Sequence, residues 1–134
     1  MTGMKGMGRW IALVLSAWVL ASPLPAPAAD PGMTQGQLME GLTNGSAPPV
    51  IDVRTPDEYR AGHVPGAMNI PLQEFQQRFD ELSAYRDKEV VLYCESGMRA
   101  SHGARWLESK GFEDLRFLDG HMSAWREAGL PTER

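Results

Sequence analysis

The stretch "EVVLYCESGMRASHGARWLESKG" (residues 89–111) combines a strand pattern and a helix pattern around a cysteine. Its run "VVLY" (90–93) is apolar and rich in β-branched residues, which is typical of a strand buried on both faces. The segment "MRASHGARWLESK" (98–110) has small and apolar residues at helical intervals, and Gly111 is a suitable C-terminal stop. We therefore predict a strand–loop–helix unit in which Cys94, the single cysteine of the chain, closes the strand.

Further strand and helix patterns lie on either side of this unit. Strands are predicted for "VIDV" (50–53), "GAMNIPL" (66–72) and "DLRFLD" (114–119), and helices for "TQGQLMEGL" (34–42), "TPDEYRAGH" (55–63), "QEFQQRFDEL" (73–82) and "MSAWREA" (122–128). Strands that alternate with helices over connections of this length imply right-handed crossovers and a mostly parallel sheet. The chain is therefore predicted to form one small α/β domain, with a parallel sheet of four strands covered by helices on both faces.

The N-terminal residues have the composition of an export signal rather than that of a domain. Lys5 and Arg9 precede the apolar run "WIALVLSAWVLA" (10–21), and "APA" (26–28) has the small residues of a cleavage site. The alternative is an uncleaved membrane anchor, but about a dozen apolar residues are fewer than the roughly 20 that span a bilayer. We predict a cleavable signal peptide over residues 1–28 and a soluble periplasmic product that is not inserted in the membrane.

Removal of the predicted signal leaves an acidic chain. The full sequence has 13 basic and 17 acidic side chains, and loss of Lys5 and Arg9 leaves 11 against 17, which changes the formal charge from −4 to −6. Phosphate contacts need clustered Lys and Arg, and none cluster here, so no nucleic-acid partner is predicted. The remaining residues divide into a linker (29–36) and one domain (37–132) with a modest core, and we expect a monomer.

The position of Cys94 favours a reactive thiol. Loops between a strand and a helix are where ligand sites gather in open α/β sheets, and their amide groups and the helix dipole stabilise a thiolate. Arg99 places a cation in the same loop, and Gly97 permits backbone conformations that a side chain would block. The alternative is a structural cysteine, since free cysteines usually behave as small buried apolar residues. The polar residues that follow Cys94 favour the reactive interpretation.

The sequence predicts no disulfide, metal site or cofactor. A lone cysteine has no internal partner, so the core must be stable without a disulfide bridge. The three histidines, His63, His102 and His121, stand at scattered spacings that do not match a metal site. We therefore expect neither a metal ion nor another cofactor.

Three ordered blocks of the sequence resemble single-domain rhodaneses, which are thiosulfate sulfurtransferases. The blocks are "VIDVRTPDEYRAGHVPGAMNIPL" (50–72), the Cys94–Arg99 loop and "LDGHMSAWREAGLP" (118–131), and the similarity extends over Gln37 to Thr132. The resemblance implies a rhodanese-like, five-stranded parallel sheet, one strand more than the patterns predict. Together with the export signal, the sequence is similar to the small periplasmic type of this family, the phage shock protein E type.

The resemblance also implies a mechanism. Cys94 would attack the outer, sulfane sulfur of a donor such as thiosulfate and carry it as a persulfide, and cyanide or a thiol, including a protein thiol, would then remove it. The loop amide groups would stabilise the persulfide, and the Arg99 side chain would hold the anionic end of the donor. The implied substrate-binding residues are those of the loop: Glu95, Ser96, Gly97, Met98 and Arg99.

Two other classes of protein share either a similar cysteine loop or the same scaffold. Cysteine-dependent phosphatases and arsenate reductases have five residues between the cysteine and the arginine, whereas four residues separate Cys94 from Arg99. We therefore expect phosphate to fit the loop poorly. Non-catalytic binding or regulatory modules on a rhodanese scaffold typically lack the cysteine, which is present here. Both functions stay open as alternatives to sulfur transfer.

The sequence departs from the family pattern at two positions. Glu95 follows the cysteine, and a carboxylate that faced the site would raise the pKa of Cys94 and repel an anionic donor. His121 replaces the second glycine of a Gly-Gly pair, and we favour a surface histidine at a helix start over an imidazole at the pocket rim. The other residues that match family positions near the site are assigned mainly to architecture: Asp52, Arg54 and His63.

Overall fold

The computed structural model describes Gly3 and residues 32–134. Its elements, in chain order, are α1 (Gln35–Asn44), β1 (Val50–Asp52), α2 (Pro56–Ala61), β2 (Met68–Asn69), a 3₁₀ turn (Leu72–Glu74), α3 (Phe79–Ser83), β3 (Val90–Tyr93), α4 (Met98–Ser109), β4 (Leu115–Phe117) and α5 (His121–Glu127). Apart from Gly3, the predicted signal peptide (1–28) lies outside the described residues. Within the described part, no helix combines the length and the apolar character that crossing a bilayer requires.

The four strands form one parallel sheet in the order β2-β1-β3-β4. β1 pairs with β3 through Val50 and Val91, and β3 pairs with β4 through Val90 and Leu115. Because every neighbouring pair is parallel, the carboxyl ends of the strands meet at one edge of the sheet. The small parallel sheet predicted from the alternating patterns is thus confirmed.

The fifth strand implied by the family resemblance is reduced to a single bridge within residues 32–134. Met33 pairs with Leu118 in parallel: the Met33 N–H donates to Phe117 O at 2.8 Å, and the Asp119 N–H donates to Met33 O at 2.9 Å. Met33 is buried, and α1 begins soon afterwards. Met33 therefore extends the sheet edge and α1 begins at Gln35, both within the segment predicted as a linker (29–36).

Helices cover both faces of the sheet, as predicted, and an apolar core lies on each face. One core joins β1 and β3 to α3 and α4, with the residues Ile51, Leu92, Leu82, Ala104 and Leu107 among its members. The other joins the same strands to α1 and α5, with Val50, Val91, Leu38, Met122 and Trp125. Successive residues of a strand point to opposite faces, so all of β3 is buried, which explains the continuous apolar run at 90–93.

Side-chain caps begin the first two helices. Thr34 precedes α1 and Thr55 precedes α2, and each accepts a hydrogen bond from the backbone N–H three positions later. The side chains at those positions, Gln37 and Glu58, bond back to the N–H of the cap residue. Pro56 occupies the first position of α2, where a missing N–H costs no helical hydrogen bond. The starts of both helices are therefore local properties of the sequence.

The segment 73–82 does not form the single helix that its spacing predicts. A 3₁₀ turn and the short α3 take its place. The buried Phe75 ring lies against Gly103 of α4, where an added Cβ would come within 2.9 Å of the ring. Arg78 leaves the helical conformation, with φ −106° and ψ 23°, and its Nη1 donates to Asn69 O at 2.9 Å. Contacts with α4 and β2, rather than helix propensity, thus set the path of this segment.

The C-terminal residues pair with the segment that follows α2. His63 and Glu133 form an antiparallel bridge with N–H···O bonds of 3.0 Å in both directions. The Trp125 Nε1–H of α5 donates to Pro131 O at 2.7 Å. The folded unit therefore extends past the predicted boundary at residue 132.

Candidate active site

Cys94 lies at the carboxyl edge of the sheet, between the end of β3 and the start of α4. Its Sγ accepts hydrogen bonds from the N–H groups of Gly97 at 3.0 Å and Ala100 at 3.4 Å. The first N–H groups of an α-helix have no partner within the helix, and no hydroxyl, amide or carboxylate side chain caps α4. The sulfur therefore takes the place of the capping acceptor, with the first turn of α4 aimed at it.

Two opposing effects set the pKa of Cys94. Burial raises the pKa, whereas interactions with His121 and with the amide groups of Ala100, Gly97 and Ser96 lower it. The result is a pKa of about 7, below the ordinary value of 9.0. A thiol with this pKa is roughly half ionised at neutral pH, so the nucleophilic thiolate is well populated.

Burial alone does not distinguish a reactive cysteine from a structural one. Cys94 is 1% exposed and contributes to the apolar core on the α4 face, as a structural cysteine would. Its sulfur nevertheless accepts two amide hydrogen bonds, which a residue that serves only packing does not need. Cys94 is therefore a buried thiol with a polar cradle on one side.

Arg99 makes a two-point ion pair with Glu58 of α2. Its Nη1 and Nη2 donate to the two carboxylate oxygens at 2.6 and 2.9 Å, and both side chains are half-buried. Hydrogen bonding to Arg99 lowers the pKa of Glu58 to about 2, against burial, which raises it. Sequence patterns do not indicate this pair, because a contact between residues 41 positions apart leaves no local signal.

The Glu95 carboxylate points away from the thiol. Cys94 joins the core on the α4 face, whereas the next side chain, Glu95, pairs with Arg126 of α5 and approaches Arg54 Nη1 at 3.5 Å. The pKa of Cys94 is lowered rather than raised. The Glu95 carboxylate therefore does not face the site, and it does not raise the pKa of Cys94 as such a carboxylate was expected to do.

His121 contacts the cysteine loop. Its Nδ1 accepts a hydrogen bond from the Cys94 N–H at 3.2 Å, and its Nε2 lies over Gly97, where an added Cβ would be 2.9 Å away. His121 begins α5, as predicted, but its side chain is half-buried. The interpretation as a surface histidine is wrong for the side chain, because the ring packs against the loop.

A buried polar network lies at the ends of β1 and β3. Arg54 donates from Nε and Nη2 to the Asp52 carboxylate at 3.0 and 2.7 Å, and the Tyr93 hydroxyl donates to the same carboxylate at 2.7 Å. Arg54 Nη2 also donates to Gly62 O at 2.8 Å, and the Val64 N–H donates to the Tyr93 hydroxyl at 3.1 Å.

Burial and the nearby Asp52 charge raise the pKa of Tyr93, so its hydroxyl stays protonated. Asp52 and Arg54 thus join two strands to the segment after α2.

The remaining candidates have different surroundings. His63 makes a hydrogen bond through Nδ1 with Tyr59 O at 2.8 Å, its ring stacks on the Tyr59 ring, and its Nε2 lies 3.7 Å from the Glu133 carboxylate, so its side chain contacts α2 and the C-terminal segment. Ser96 contributes a backbone amide that lowers the pKa of Cys94. Met98 begins α4 with a side chain that is 75% exposed, so it presents an apolar group to solvent beside the site.

A cavity of about 400 Å³ opens on the Glu95 side of the loop. Its lining includes Arg54, Glu58, Glu95, Met122, Arg126 and Arg134. Three guanidinium groups and two carboxylates reach this lining, and one of the guanidinium groups, Arg54, is also paired with Asp52.

The sequence pattern of the family described as Rhodanese-like domain matches residues 34–128. Among curated proteins, the chain is 37% identical over 122 residues to an HTH-type transcriptional regulator of Mycobacterium tuberculosis. The match covers 90% of this chain and 50% of the regulator. The chain thus spans about half the length of this curated relative.

Two solved structures share the fold. A rhodanese-related protein of Thermoplasma volcanium superimposes with a TM-score of 0.65 and 27% identity, over 77% of this chain and 97% of that protein. A thiosulfate sulfurtransferase of Pseudomonas aeruginosa superimposes with a TM-score of 0.69 and 27% identity, over 78% of this chain and 20% of the sulfurtransferase. The parallel sheet with helices on both faces is therefore common to all three proteins.

Proposed function

The chain belongs to the rhodanese-like domain family, and from that premise we propose that it is a sulfurtransferase. It moves a sulfane sulfur from thiosulfate or another persulfide donor to a thiophilic acceptor through a persulfide on Cys94. The observation that carries the proposal is the Cys94 sulfur, which accepts two amide hydrogen bonds and has a pKa of about 7. Such a thiol is a nucleophile at neutral pH.

In the first half-reaction the Cys94 thiolate attacks the outer sulfur of thiosulfate. A bond forms between Sγ and that sulfur, the sulfur–sulfur bond of thiosulfate breaks, and sulfite leaves with the bonding electron pair. The outer sulfur stays on Cys94 as a persulfide anion. Charge is conserved in this step, which needs neither a proton nor an oxidant.

In the second half-reaction the acceptor attacks the outer sulfur of the persulfide. Cyanide takes the sulfur as thiocyanate and a thiolate takes it as a new persulfide, while Sγ leaves with the bonding pair as the restored thiolate. The two half-reactions share one covalent intermediate, so ping-pong kinetics are expected.

The amide groups of the loop stabilise the charged forms of the sulfur. The N–H groups of Gly97 and Ala100 already point at Sγ, and the positive end of the α4 dipole lies behind them. Because these groups belong to the start of a helix, they are oriented toward the sulfur before the reaction begins. The same cradle thus serves both half-reactions.

Arg99 binds the anionic end of the donor. Its Nη1 and Nη2 are held by Glu58, and a sulfonate group competes with this carboxylate for the same donors. Glu58, with a pKa of about 2, stays ionised over the whole neutral range. Glu58 therefore keeps the guanidinium beside the loop between turnovers.

The two alternatives have weaker support. A phosphatase needs a loop that closes around phosphate, and four residues between Cys94 and Arg99 make a shorter loop than such enzymes use. A non-catalytic regulatory module is favoured by the similarity to a transcriptional regulator. A module of that kind has no need for a thiol with a pKa of about 7.

Intact mass spectrometry of the mature protein tests the proposal. We expect a gain of one sulfur atom after treatment with thiosulfate, reversal of the gain by cyanide, and no gain in Cys94→Ser. Serine is close to cysteine in size and removes the chain's single thiol, so it is a matched control. Absence of an adduct with both thiosulfate and polysulfide would refute the proposal, and hydrolysis of a phosphate ester would then favour the phosphatase.

We also propose that the chain is exported to a periplasm and cleaved after residue 28 or 29. The charged start, the short apolar run and the small residues before the cut support this proposal. N-terminal sequencing of protein from the periplasmic fraction should begin at residue 29 or 30. Full-length protein confined to the cytosol would contradict it.

A further inference from the structure

His121 is the one non-glycine residue of the described part with a positive φ, at 54°. The left-handed conformation costs an L-residue about 1 kcal/mol or more, although Asn, Asp and His adopt it more often than others. A glycine would adopt the same conformation without this strain. Strain of this kind persists where the surrounding contacts hold the residue in place, and here the imidazole makes those contacts.

Three hydrogen bonds join the start of α5 to the cysteine loop. The Met122 N–H donates to Cys94 O at 3.0 Å, and the Ser123 N–H donates to Glu95 O at 3.2 Å. Both bonds come from the backbone and do not depend on the side chain at 121. The third bond, from the Cys94 N–H to His121 Nδ1 at 3.2 Å, exists only because an imidazole is present.

The direction of the third bond fixes the tautomer of the neutral ring. Nδ1 accepts a hydrogen bond, so it has no proton, and the ring proton lies on Nε2. Nε2 lies against Gly97, the residue whose N–H donates to the Cys94 sulfur. The Phe117 ring of β4 is tilted by 46° to the imidazole, with the ring centroids 6.0 Å apart. The imidazole therefore contacts the loop at both its first and its fourth residue.

We propose that His121 is a positioning residue for Cys94: its imidazole fixes the Cys94 N–H and the Gly97 backbone, and so keeps the loop amide groups aimed at the sulfur. The inference rests on the proposed function, because the positioned sulfur is the one that carries the persulfide. The electrostatics agree with the geometry. Burial raises the pKa of Cys94, and the interaction with His121 is the largest of the effects that lower it.

Two variants separate positioning from folding. His121→Gly removes the imidazole, relieves the left-handed strain and leaves the backbone bonds of Met122 and Ser123 intact. His121→Asn tolerates the left-handed conformation and carries an acceptor oxygen near the place of Nδ1. We expect both variants to fold. The melting temperature of His121→Gly should be somewhat lower than that of the wild type, because strain relief offsets only part of the lost imidazole contacts and of the greater chain entropy of glycine in the unfolded state.

The pH dependence of Cys94 alkylation by iodoacetamide, measured on the mature chain, tests the proposal. His121→Gly should raise the midpoint of the profile by about half to one pH unit, and His121→Asn should raise it by less than that. A merely structural role would lower the melting temperature without moving the midpoint. A folded His121→Gly protein with the wild-type midpoint would overturn the proposal. Alkylation requires no sulfur donor, so this result is distinct from a failure to form the persulfide.

Discussion

The carboxylate of Glu95 and the thiol of Cys94 lie on different sides of the loop that follows β3: the thiol joins the core on the α4 face, whereas the carboxylate pairs with Arg126 of α5. The residue next to Cys94 in sequence is thus poorly placed to reach its sulfur. Arg126 and Arg54 pair with the Glu95 carboxylate on its own side. The groups that determine the ionisation of Cys94 are instead the loop amides and His121, which lies 27 positions along the chain.

We therefore predict that Glu95→Gln leaves the pKa of Cys94 near 7. The midpoint of the alkylation profile should stay unchanged, and the thiosulfate KM should change by less than about twofold, since the carboxylate is 35% exposed and its field is screened by solvent and two guanidinium groups. Both quantities are measured at physiological ionic strength. Glu113→Gln, which removes one exposed charge from the loop before β4, is the matched control.

A several-fold fall in thiosulfate KM for Glu95→Gln, without a similar fall for Glu113→Gln, would contradict this view. It would show that the Glu95 carboxylate acts on the donor despite its pairing with Arg126. A lower alkylation midpoint would show that it acts on the thiol.

At the scale of elements, Gly97 decides how α4 meets the loop. It is the cap residue of α4 and has φ 121° and ψ −21°, a conformation that residues with a Cβ rarely adopt. A Cβ at this position would also lie 2.9 Å from His121 Nε2. Glycine is thus required for two independent reasons, the backbone conformation and the close approach of the imidazole.

We predict that Gly97→Ala lowers both stability and thiol reactivity. The free energy of unfolding should fall by about 1–3 kcal/mol, because the strained conformation or the contact with His121 must give way. The alkylation midpoint should rise, because the Gly97 N–H moves away from the sulfur. Chemical unfolding and the alkylation profile measure the two effects.

Gly45→Ala is the matched control for this prediction. Gly45 has φ 78° at the end of α1, and an added Cβ there would have no heavy atom within 4 Å. Because of this conformation, Gly45→Ala should lower the free energy of unfolding by about 1 kcal/mol, and it should leave the alkylation midpoint unchanged. If Gly97→Ala and Gly45→Ala behaved alike in both measurements, the loop amide of Gly97 would have no special role.

Most elements of the fold could be predicted because their signals are local. The apolar run at 90–93 indicates a strand buried on both faces, and Thr34 and Thr55 cap helices that begin where the sequence places them. The position of Cys94, between the end of a strand and the start of a helix, could likewise be predicted from adjacent residues. Caps and apolar runs involve residues a few positions apart, which is the range over which a single sequence is informative.

The features that the sequence did not predict depend on contacts between distant segments. The helical spacing at 73–82 is real, but packing of Phe75 against Gly103 breaks the helix into two pieces. The partner of Glu95 belongs to α5, and the imidazole of His121 reaches back to the cysteine loop. Such contacts depend on how the elements pack, so local sequence patterns do not indicate them.

At the scale of the whole molecule, polar contacts connect the helices that follow different strands. The Glu58–Arg99 pair joins α2, which follows β1, to α4, which follows β3. Asp52 and Tyr93 make a buried contact between the same two strands. The carboxyl edge of the sheet, where the cysteine loop lies, is therefore held together by charged groups as well as by the apolar cores.

The pKa of Glu58 makes this connection dependent on pH. In the folded protein the pKa is about 2, below the ordinary value of 4.5, so between these pH values the unfolded chain binds more protons than the folded one. The contribution of the pair is complete above pH 4.5 and is lost as the pH falls toward 2. The side chains are a third exposed, so after solvent screening we expect the pair to contribute about 1 kcal/mol.

We predict that Glu58→Gln lowers the free energy of unfolding by about 1 kcal/mol at neutral pH, and that the difference from the wild type shrinks as the pH falls below 4.5. Glutamine keeps an oxygen that can accept from the Thr55 N–H, so the cap of α2 is preserved. Urea unfolding between pH 7 and pH 3 measures the difference. Glu81→Gln, which removes an exposed pair with Arg78, is the control and should cost less. A loss that stayed constant over this range would mean that Glu58 stabilises the molecule through the helix cap or through packing, and that charge does not join α2 to α4.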